Sequence, residues 1–578
     1  MNFFRSRCVA LAFLGIPLVC YGNSPKIAPD LVGIDPQTAV SVIVQFVPGL
    51  GSARQGIVNG AGGALQAELP LIQADVVTLT AGALNGLANN PNVVYISPDR
   101  PVTATLDYAN AAMNAPYALQ YGWDGTGVGV AIIDSGITQE NDLLLAGKGK
   151  NSSRIVYSQS FVPSVTSTAD QYGHGTHVAG IVAANGAAST GPNYFKTFRG
   201  MAPNASLINL RVLDGNGAGT DSSVINGINA AIKLKNKYNI RVMNLSLGRP
   251  VYESYALDPL CQAVERAWNA GIVVVVAAGN QGRNQTTSGY ATITAPGNDP
   301  LVITVGAMKT MGTITRSDDL IASYSSKGPT LLDHVVKPDL VAPGNQIVSL
   351  LASKSLIGAN STNVNEIPYS YYQSTPNTSY SADYFRLSGT SMAAPMVSGA
   401  AAVMLTQNWS LTNETIKARL MASASKSFPL YSTAVDPVTG VSYSSQYDIF
   451  TIGAGYLDIE AALNSLDNVP PGQTAASPVA VFNTSASTVT VVNANTAVWG
   501  TAAVWGTAAV WGTAAVWGTS VFVDGAAAVW GTGAVWGSAA VWGTGGTTAN
   551  AAVWGTAAVW GTSTTDGGES LSLLINGE

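Results

Sequence analysis

Three histidines occur in the 578 residues, and they restrict where acid–base chemistry can be done. His174 and His177 share the run Gly173-His174-Gly175-Thr176-His177-Val178-Ala179-Gly180, while His334 lies in a polar loop. An imidazole is the side chain best matched to proton transfer near neutral pH. Asp134 closes an apolar run and opens Asp134-Ser135-Gly136-Ile137. A carboxylate ending a buried strand is partly desolvated and can hold an imidazole in one tautomer. Ser391 stands in Gly389-Thr390-Ser391-Met392-Ala393-Ala394-Pro395, at the start of an Ala-rich run that reads as a buried helix to Leu405. Its own backbone N–H and the helix N-terminus would already accommodate negative charge developing beside it. Hydrolysis of an amide without a metal needs a nucleophile, a base, a group orienting the base and donors for the oxyanion. These residue types supply that set.

Each residue also has a plainer explanation. A serine at a helix start is most often only an N-cap. His174 and His177 lie one helical turn apart, but no third histidine or acidic ligand occurs within Gly173–Gly180, so His177 reads as a packed structural residue rather than half of a metal site. His334 reads as a solvated loop residue, and Cys261 as a small buried apolar one.

The elements that must position these residues begin at Gly122. Val128–Ile133, Ser206–Leu213, Arg241–Leu247, Ile272–Val276 and Val302–Met308 read as strands, with helices over about Asp221–Lys237 and Leu257–Asn269. Near-continuous β-branched strands separated by amphipathic helices predict an α/β fold, a doubly wound, mostly parallel sheet with helices on both faces. Ligands in such sheets bind beyond the carboxyl ends of the strands, where Asp134 and Asn280 fall. Upstream, residues 40–105 predict a small α+β unit with strands at Val40–Phe46, Val76–Thr80 and Asn92–Ile96 and a helix at Ala83–Ala88. Ser353–Asp383 is rich in Tyr, Ser and Asn without strand or helix period, and reads as a long surface insertion.

At this point a resemblance emerges. Asp134-Ser135-Gly136-Ile137, Gly175-Thr176-His177-Val178-Ala179-Gly180 after His174, and Gly389-Thr390-Ser391-Met392-Ala393-Ala394-Pro395 resemble the three active-site signatures of subtilisin-like serine peptidases, in that family's order of Asp, His, Ser. Asn244-Leu245-Ser246-Leu247-Gly248 and Ala277-Ala278-Gly279-Asn280 extend the match over residues 120–465. The resemblance implies that Asp134 orients His174, that His174 is the general base and acid, and that Ser391 attacks the carbonyl. The Asn280 side chain and the Ser391 N–H would form the oxyanion hole. Ser246, Leu247 and Gly248 would pair with a peptide substrate as an edge strand, with Ala278 and Gly279 lining the site and Thr294 at the floor of the main pocket. Residues 28–105 are similar to the family's inhibitor-type propeptides, ferredoxin-like domains that assist folding, block the cleft and are removed, with autocleavage near Thr105 to Ala109. The loop after Val182 does not reproduce the Asn-rich calcium loop of well-known members. Structural calcium is therefore not supported by the sequence, and no cofactor is required for catalysis. The order Asp, His, Ser and the lack of a Gly-x-Ser-x-Gly elbow exclude an α/β-hydrolase.

Bulk properties agree with an exported enzyme. About 47% of residues are hydrophobic and 10% charged, giving ample core material, and a net charge of −6 with no basic cluster excludes nucleic acid as a partner. Residues 1–22 read as a signal peptide, with Arg5 and Arg7 before an apolar core too short to span a bilayer. Cys8 and Cys20 lie in that leader, leaving Cys261 without a disulfide partner. After Val469-Pro470-Pro471-Gly472 the expected order is peptidase domain (106–465), linker (466–495), repeat region (496–562) and C-terminal tail (563–578). The repeat places Val-Trp-Gly at Trp499, Trp505, Trp511, Trp517, Trp530, Trp536, Trp542, Trp554 and Trp560. Its dominant period of six is even, so in an extended run the tryptophans share one face. Exposed tryptophan rows stack on sugars and sit at membrane interfaces, which offers a second reading, an adhesive protein whose tail contacts cell surface or polysaccharide. Protein or peptide substrates and the chain's own propeptide are the other expected partners.

Overall fold

The computed structural model describes residues 24–98, 104–145, 152–483, 488–492, 521–522 and 571–578, apart from residues 25, 29–30, 32, 70–72, 106–107, 353, 361–364 and 375–376. The signal peptide read at 1–22, and the repeat region except for residues 521–522, lie outside the described residues. The chain forms two compact units, one up to Thr103 and one from Ala104.

The first unit runs β1 (Ala39–Phe46), α1 (Ala53–Gly60), β2 (Ala64–Leu69), β3 (Ala74–Thr80), α2 (Leu84–Ala88) and β4 (Val93–Pro98). Its antiparallel sheet has the order β2-β3-β1-β4, a split β-α-β arrangement. Val42, Val44 and Phe46 of β1 alternate inward against Val58, Val77, Leu79, Leu87 and Ile96. Helix α1 and strand β2 were not legible in the sequence, because Ala53–Leu69 carries few large apolar side chains.

In the second unit the parallel sheet is built from β5 (Gly129–Asp134), β6 (Ile155–Ser160), β7 (Ser206–Arg211), β8 (Ile240–Leu245), β9 (Val273–Ala277), β10 (Ile303–Lys309), β11 (Leu320–Ile321) and β12 (Leu340–Pro343). The order is β11-β10-β9-β8-β5-β7-β6, with β12 also beside β10; only the β10–β11 pair is antiparallel. Strands β5, β8 and β9 are neighbours in register, Asn244 beside Ile132 and Leu245 beside Val276, so their carboxyl ends share one edge. Helices α3 (His174–Ala183), α4 (Asp221–Tyr238), α5 (Pro259–Asn269) and α6 (Thr390–Gln407) complete the frame. Thr220 caps α4 by accepting the Ser223 N–H, and Asn239 ends it in the left-handed conformation. Asp258 caps α5 just ahead of Pro259. Helix α6 is buried from Thr390 to Leu405 and packs on α3 and across β8, β9 and β10, as a helix apolar all round must.

The Ser353–Asp383 stretch is not a structureless insertion. Strands β13 (Ile347–Leu350), β14 (Glu366–Pro368) and β15 (Tyr380–Leu387) form an antiparallel sheet of order β13-β15-β14. Tyr372 and Tyr384 are buried there beside Phe198. Tyrosine buries a ring while its hydroxyl keeps a partner, so a Tyr/Ser-rich sequence can make a core. Tyr384 donates to Asp142 Oδ2 at 2.6 Å, and the Tyr372 hydroxyl lies 3.0 Å from Ser381 Oγ. His334, read as solvated, is half-buried, and its backbone carbonyl accepts the Ala480 N–H.

Candidate active site

Asp134 ends β5, Ser246 follows β8, and Ala278, Gly279 and Asn280 follow β9, so three neighbouring strands deliver them to one edge. His174 opens α3 and Ser391 stands in the first turn of α6. His174 Nδ1 lies 2.8 Å from Asp134 Oδ1, both side chains being buried. Asp134 Oδ1 also accepts the Ser135 N–H at 2.7 Å, which fixes the carboxylate before it meets the ring.

The N-terminus of α3 is held by a residue the sequence reading passed over. Asp170 accepts the N–H groups of Gly173 (2.6 Å) and Thr176 (2.8 Å), and Ser135 Oγ donates to it at 2.8 Å. Ser135 Oγ in turn accepts the Gly175 N–H. Burial raises the Asp170 carboxyl from its ordinary value; these hydrogen bonds oppose that shift, and the neighbouring Asp134 charge adds to it. An aspartate shortly before a helix start is the signal that could have found it. His177 is not in this network. It is fully buried, its Nε2 donates to the Ile347 carbonyl at 3.0 Å, and its ring meets Phe385 edge-on. Burial, and then the neighbouring His174, push its pKa down to about 3, so this imidazole is neutral.

Around Ser391 the backbone and the sequence explain each other. Gly389, at φ +150°, takes a conformation open essentially to glycine and turns the chain from β15 into α6. Pro395 lies inside α6 and has no N–H to give the carbonyl four residues back, which is that of Ser391. Ser246 Oγ donates to this carbonyl at 2.7 Å and accepts from Asn244 Nδ2 at 2.9 Å. Asn244 Oδ1 accepts from Ser398 Oγ, about two turns beyond Ser391 along α6. Ser391 Oγ donates to the Ser246 carbonyl at 3.2 Å. Ser246 therefore sits against the helix that bears Ser391, while Leu247 and Gly248 beyond it are half-exposed.

Asn280 is oriented by Thr390, whose N–H (2.9 Å) and hydroxyl (3.1 Å) both donate to Asn280 Oδ1. With Oδ1 accepting, Nδ2 is the donor end of this amide. The Thr390 hydroxyl also accepts the Gly279 N–H at 3.1 Å. Ala278 is buried and its backbone is engaged with Val305 and Thr294. Gly279 has φ +104°, and a Cβ there would come within 2.8 Å of Thr294 Cγ2; one on Gly248 would come within 2.5 Å of Thr294 Oγ1. Gly248, Gly279 and Thr294 thus meet at one place, and side chains on the glycines would fill it.

Among the described residues no group of three or more His, Cys, Asp or Glu side chains is disposed to hold a metal ion. Asp142, which meets the loop after Val182, has both oxygens engaged: Oδ1 accepts the Ala188 N–H and Oδ2 the Tyr384 hydroxyl. Among the described residues no helix is long and apolar enough to cross a membrane.

One edge of the parallel sheet thus carries an Asp–His pair and a helix-start serine, and comparison with known proteins gives the family. Residues 125–445 match the Subtilase family; the chain belongs to it and is a serine endopeptidase. It is 38% identical over 358 residues to serine protease AprX of Bacillus subtilis, covering 60% of this chain and 73% of that one. It is 34% identical over 386 residues to subtilisin E of the same organism, covering 66% and 83%. Subtilisin of Bacillus pumilus is 35% identical over 322 residues, covering 55% and 92%.

Proposed function

We propose that Asp134, His174 and Ser391 form the catalytic triad of an exported endopeptidase made as a zymogen. His174 takes the Ser391 proton as Ser391 attacks the scissile carbonyl, and returns it to the leaving amine. The acyl-enzyme is then released by water activated by the same imidazole. Asp134 holds His174 with Nδ1 protonated and stabilises the imidazolium that forms. Asn280 Nδ2 and the Ser391 N–H receive the oxyanion. A peptide strand lies along Ser246-Leu247-Gly248, with its main side chain directed toward Gly248, Gly279 and Thr294. The observation that carries this reading is the buried 2.8 Å contact between His174 Nδ1 and Asp134.

Residues 1–22 direct export. Residues 28–105 act as an intramolecular chaperone and inhibitor removed near Thr105 to Ala109; the compact β-α-β-β-α-β unit ending by Thr103 supports this assignment. No metal or cofactor takes part in the chemistry. The test is Ser391→Ala: casein hydrolysis and proprotein processing should both disappear while the protein remains folded. Survival of both activities would refute the assignment.

A further inference from the structure

Residues 563–578 carried no role in the sequence reading, yet their last eight residues are tightly seated on the peptidase unit. Helix α7 (Leu571–Asn576) and the two residues after it meet the segment that follows Asn280, the segment that precedes Ser391, and Asn345-Gln346 between β12 and β13. Leu574 and Ile575 are buried. The Leu574 carbonyl accepts the Ser388 N–H at 2.9 Å, and the Asn576 carbonyl accepts from Gln346 Nε2 at 3.1 Å.

Glu578 is clasped at both its backbone and its side chain. Asn345 Nδ2 donates to its carbonyl oxygen at 2.9 Å, and its N–H donates to Asn345 Oδ1 at 3.0 Å. Its side chain is fully buried; Oε1 accepts the Ser323 N–H at 2.8 Å and the Ser323 hydroxyl, with Arg283 Nη2 3.4 Å away. Arg283 is itself aimed by Asp436, 3.0 Å from Nη1. A buried carboxylate is costly unless charge and donors meet it, and at Oε1 this seat supplies both, while Oε2 is buried without a hydrogen-bond partner. Gly577 has φ +55° and lies so close to Ser388 Oγ and Asn345 Oδ1 that no side chain fits there.

We propose that Leu571–Glu578 is an intramolecular latch, an apolar helical turn closed by an acidic residue, which the peptidase unit binds through Arg283, Ser323, Asn345, Gln346 and Ser388. The occupant is this chain's own segment. Val479 and Ala480 are already hydrogen-bonded to the unit around His334 and Val335, so segments on either side of the Val-Trp-Gly region, Val479–Ala480 and Leu571–Glu578, are both bound to the same unit.

The test uses the full chain, blocked with a sulfonyl fluoride and carrying a recognition site for a sequence-specific protease between Gly567 and Gly568. After cutting, gel filtration under native conditions and mass spectrometry follow the peptide that contains Leu571–Glu578. Co-elution with the monomeric enzyme is expected. Glu578→Lys and Gly577→Val should speed its loss roughly tenfold or more, the size expected when hydrogen bonds to a charged group are removed. Elution of the wild-type peptide as a free species overturns the latch. Retention only in a dimer peak also overturns it, since the segment would then belong to a second copy. Because the wild-type result alone can overturn the proposal, it does not depend on either variant folding.

Discussion

The substitution Ser246→Ala tests whether the structure around Ser391 has been understood. Ser246 Oγ satisfies two buried groups, the Ser391 carbonyl that Pro395 leaves without a helical partner and the Asn244 amide. Leaving a buried polar group unpaired costs about 1–3 kcal/mol, so with some relaxation the variant should lose about 2–4 kcal/mol. The companion substitution Pro395→Ala returns an N–H that can donate to the Ser391 carbonyl. In that background Ser246→Ala leaves only Asn244 unpaired, and its cost should fall by about 1–2 kcal/mol, a coupling that a double-mutant cycle resolves. Guanidinium unfolding of the four proteins, each carrying Ser391→Ala to prevent self-digestion, measures the cycle. In active protein Ser246→Ala should lower kcat roughly 10–100-fold, the scale on which small displacements of reacting groups act. KM on a short peptide should change less. Equal costs of Ser246→Ala in the two backgrounds would show that Pro395 does not create the vacancy that Ser246 fills.

Two further outcomes follow from the buried surroundings of the site. His177 titrates near 6.5 when unfolded and at about 3 when folded, so between those values the unfolded chain binds the extra proton. Stability should therefore fall as pH drops through that window, by at most about 1.4 kcal/mol per pH unit from this group, and His177→Gln should flatten the slope of guanidinium midpoints between pH 4 and 6; an unchanged slope would place the acid lability elsewhere. Gly399→Ala gains up to about 1 kcal/mol of helix propensity but drives a methyl into the Cβ of Met201, where overpacking costs about 1–3 kcal/mol; a net loss in unfolding free energy is expected, and a gain would show that α6 can shift.

What the sequence disclosed depended on whether a residue's partner lay nearby in the chain or in the pattern. Strands β5, β8 and β9 were legible because burial on both faces demands long β-branched runs, and α4 because its apolar residues recur at helical spacing. Asp134 and Asn280 stood out because each follows a strand, Ser391 because it starts an apolar Ala-rich run, and His174 because the chain has only three histidines. The β13–β15 sheet escaped because its core is tyrosine, whose hydroxyls find partners as remote as Asp142 and whose sequence therefore looks like a polar loop. Thr390 was quoted only as part of a turn, although its hydroxyl joins Asn280 and Gly279. Contacts of that kind depend on which loops the fold brings face to face, and neither period nor composition encodes them.

The same reasoning explains why so many small polar residues lie in the apolar heart of this unit. Ser391, at the start of a buried helix, has around it backbone groups of the first turn that water cannot reach. Pro395 adds one more, the carbonyl of Ser391 itself. The chain meets this need from the adjacent strand, where Asn244 and Ser246 stand among Val242, Met243 and Leu245, and from Ser398 on α6. Asn244 would be an expensive residue for a central strand if it were unpaired. Here both ends of its amide are hydrogen-bonded, and the result is a rigid polar link from β8 to the turn that bears Ser391. The polar residues of the core thus hold the Ser391 backbone in place from below.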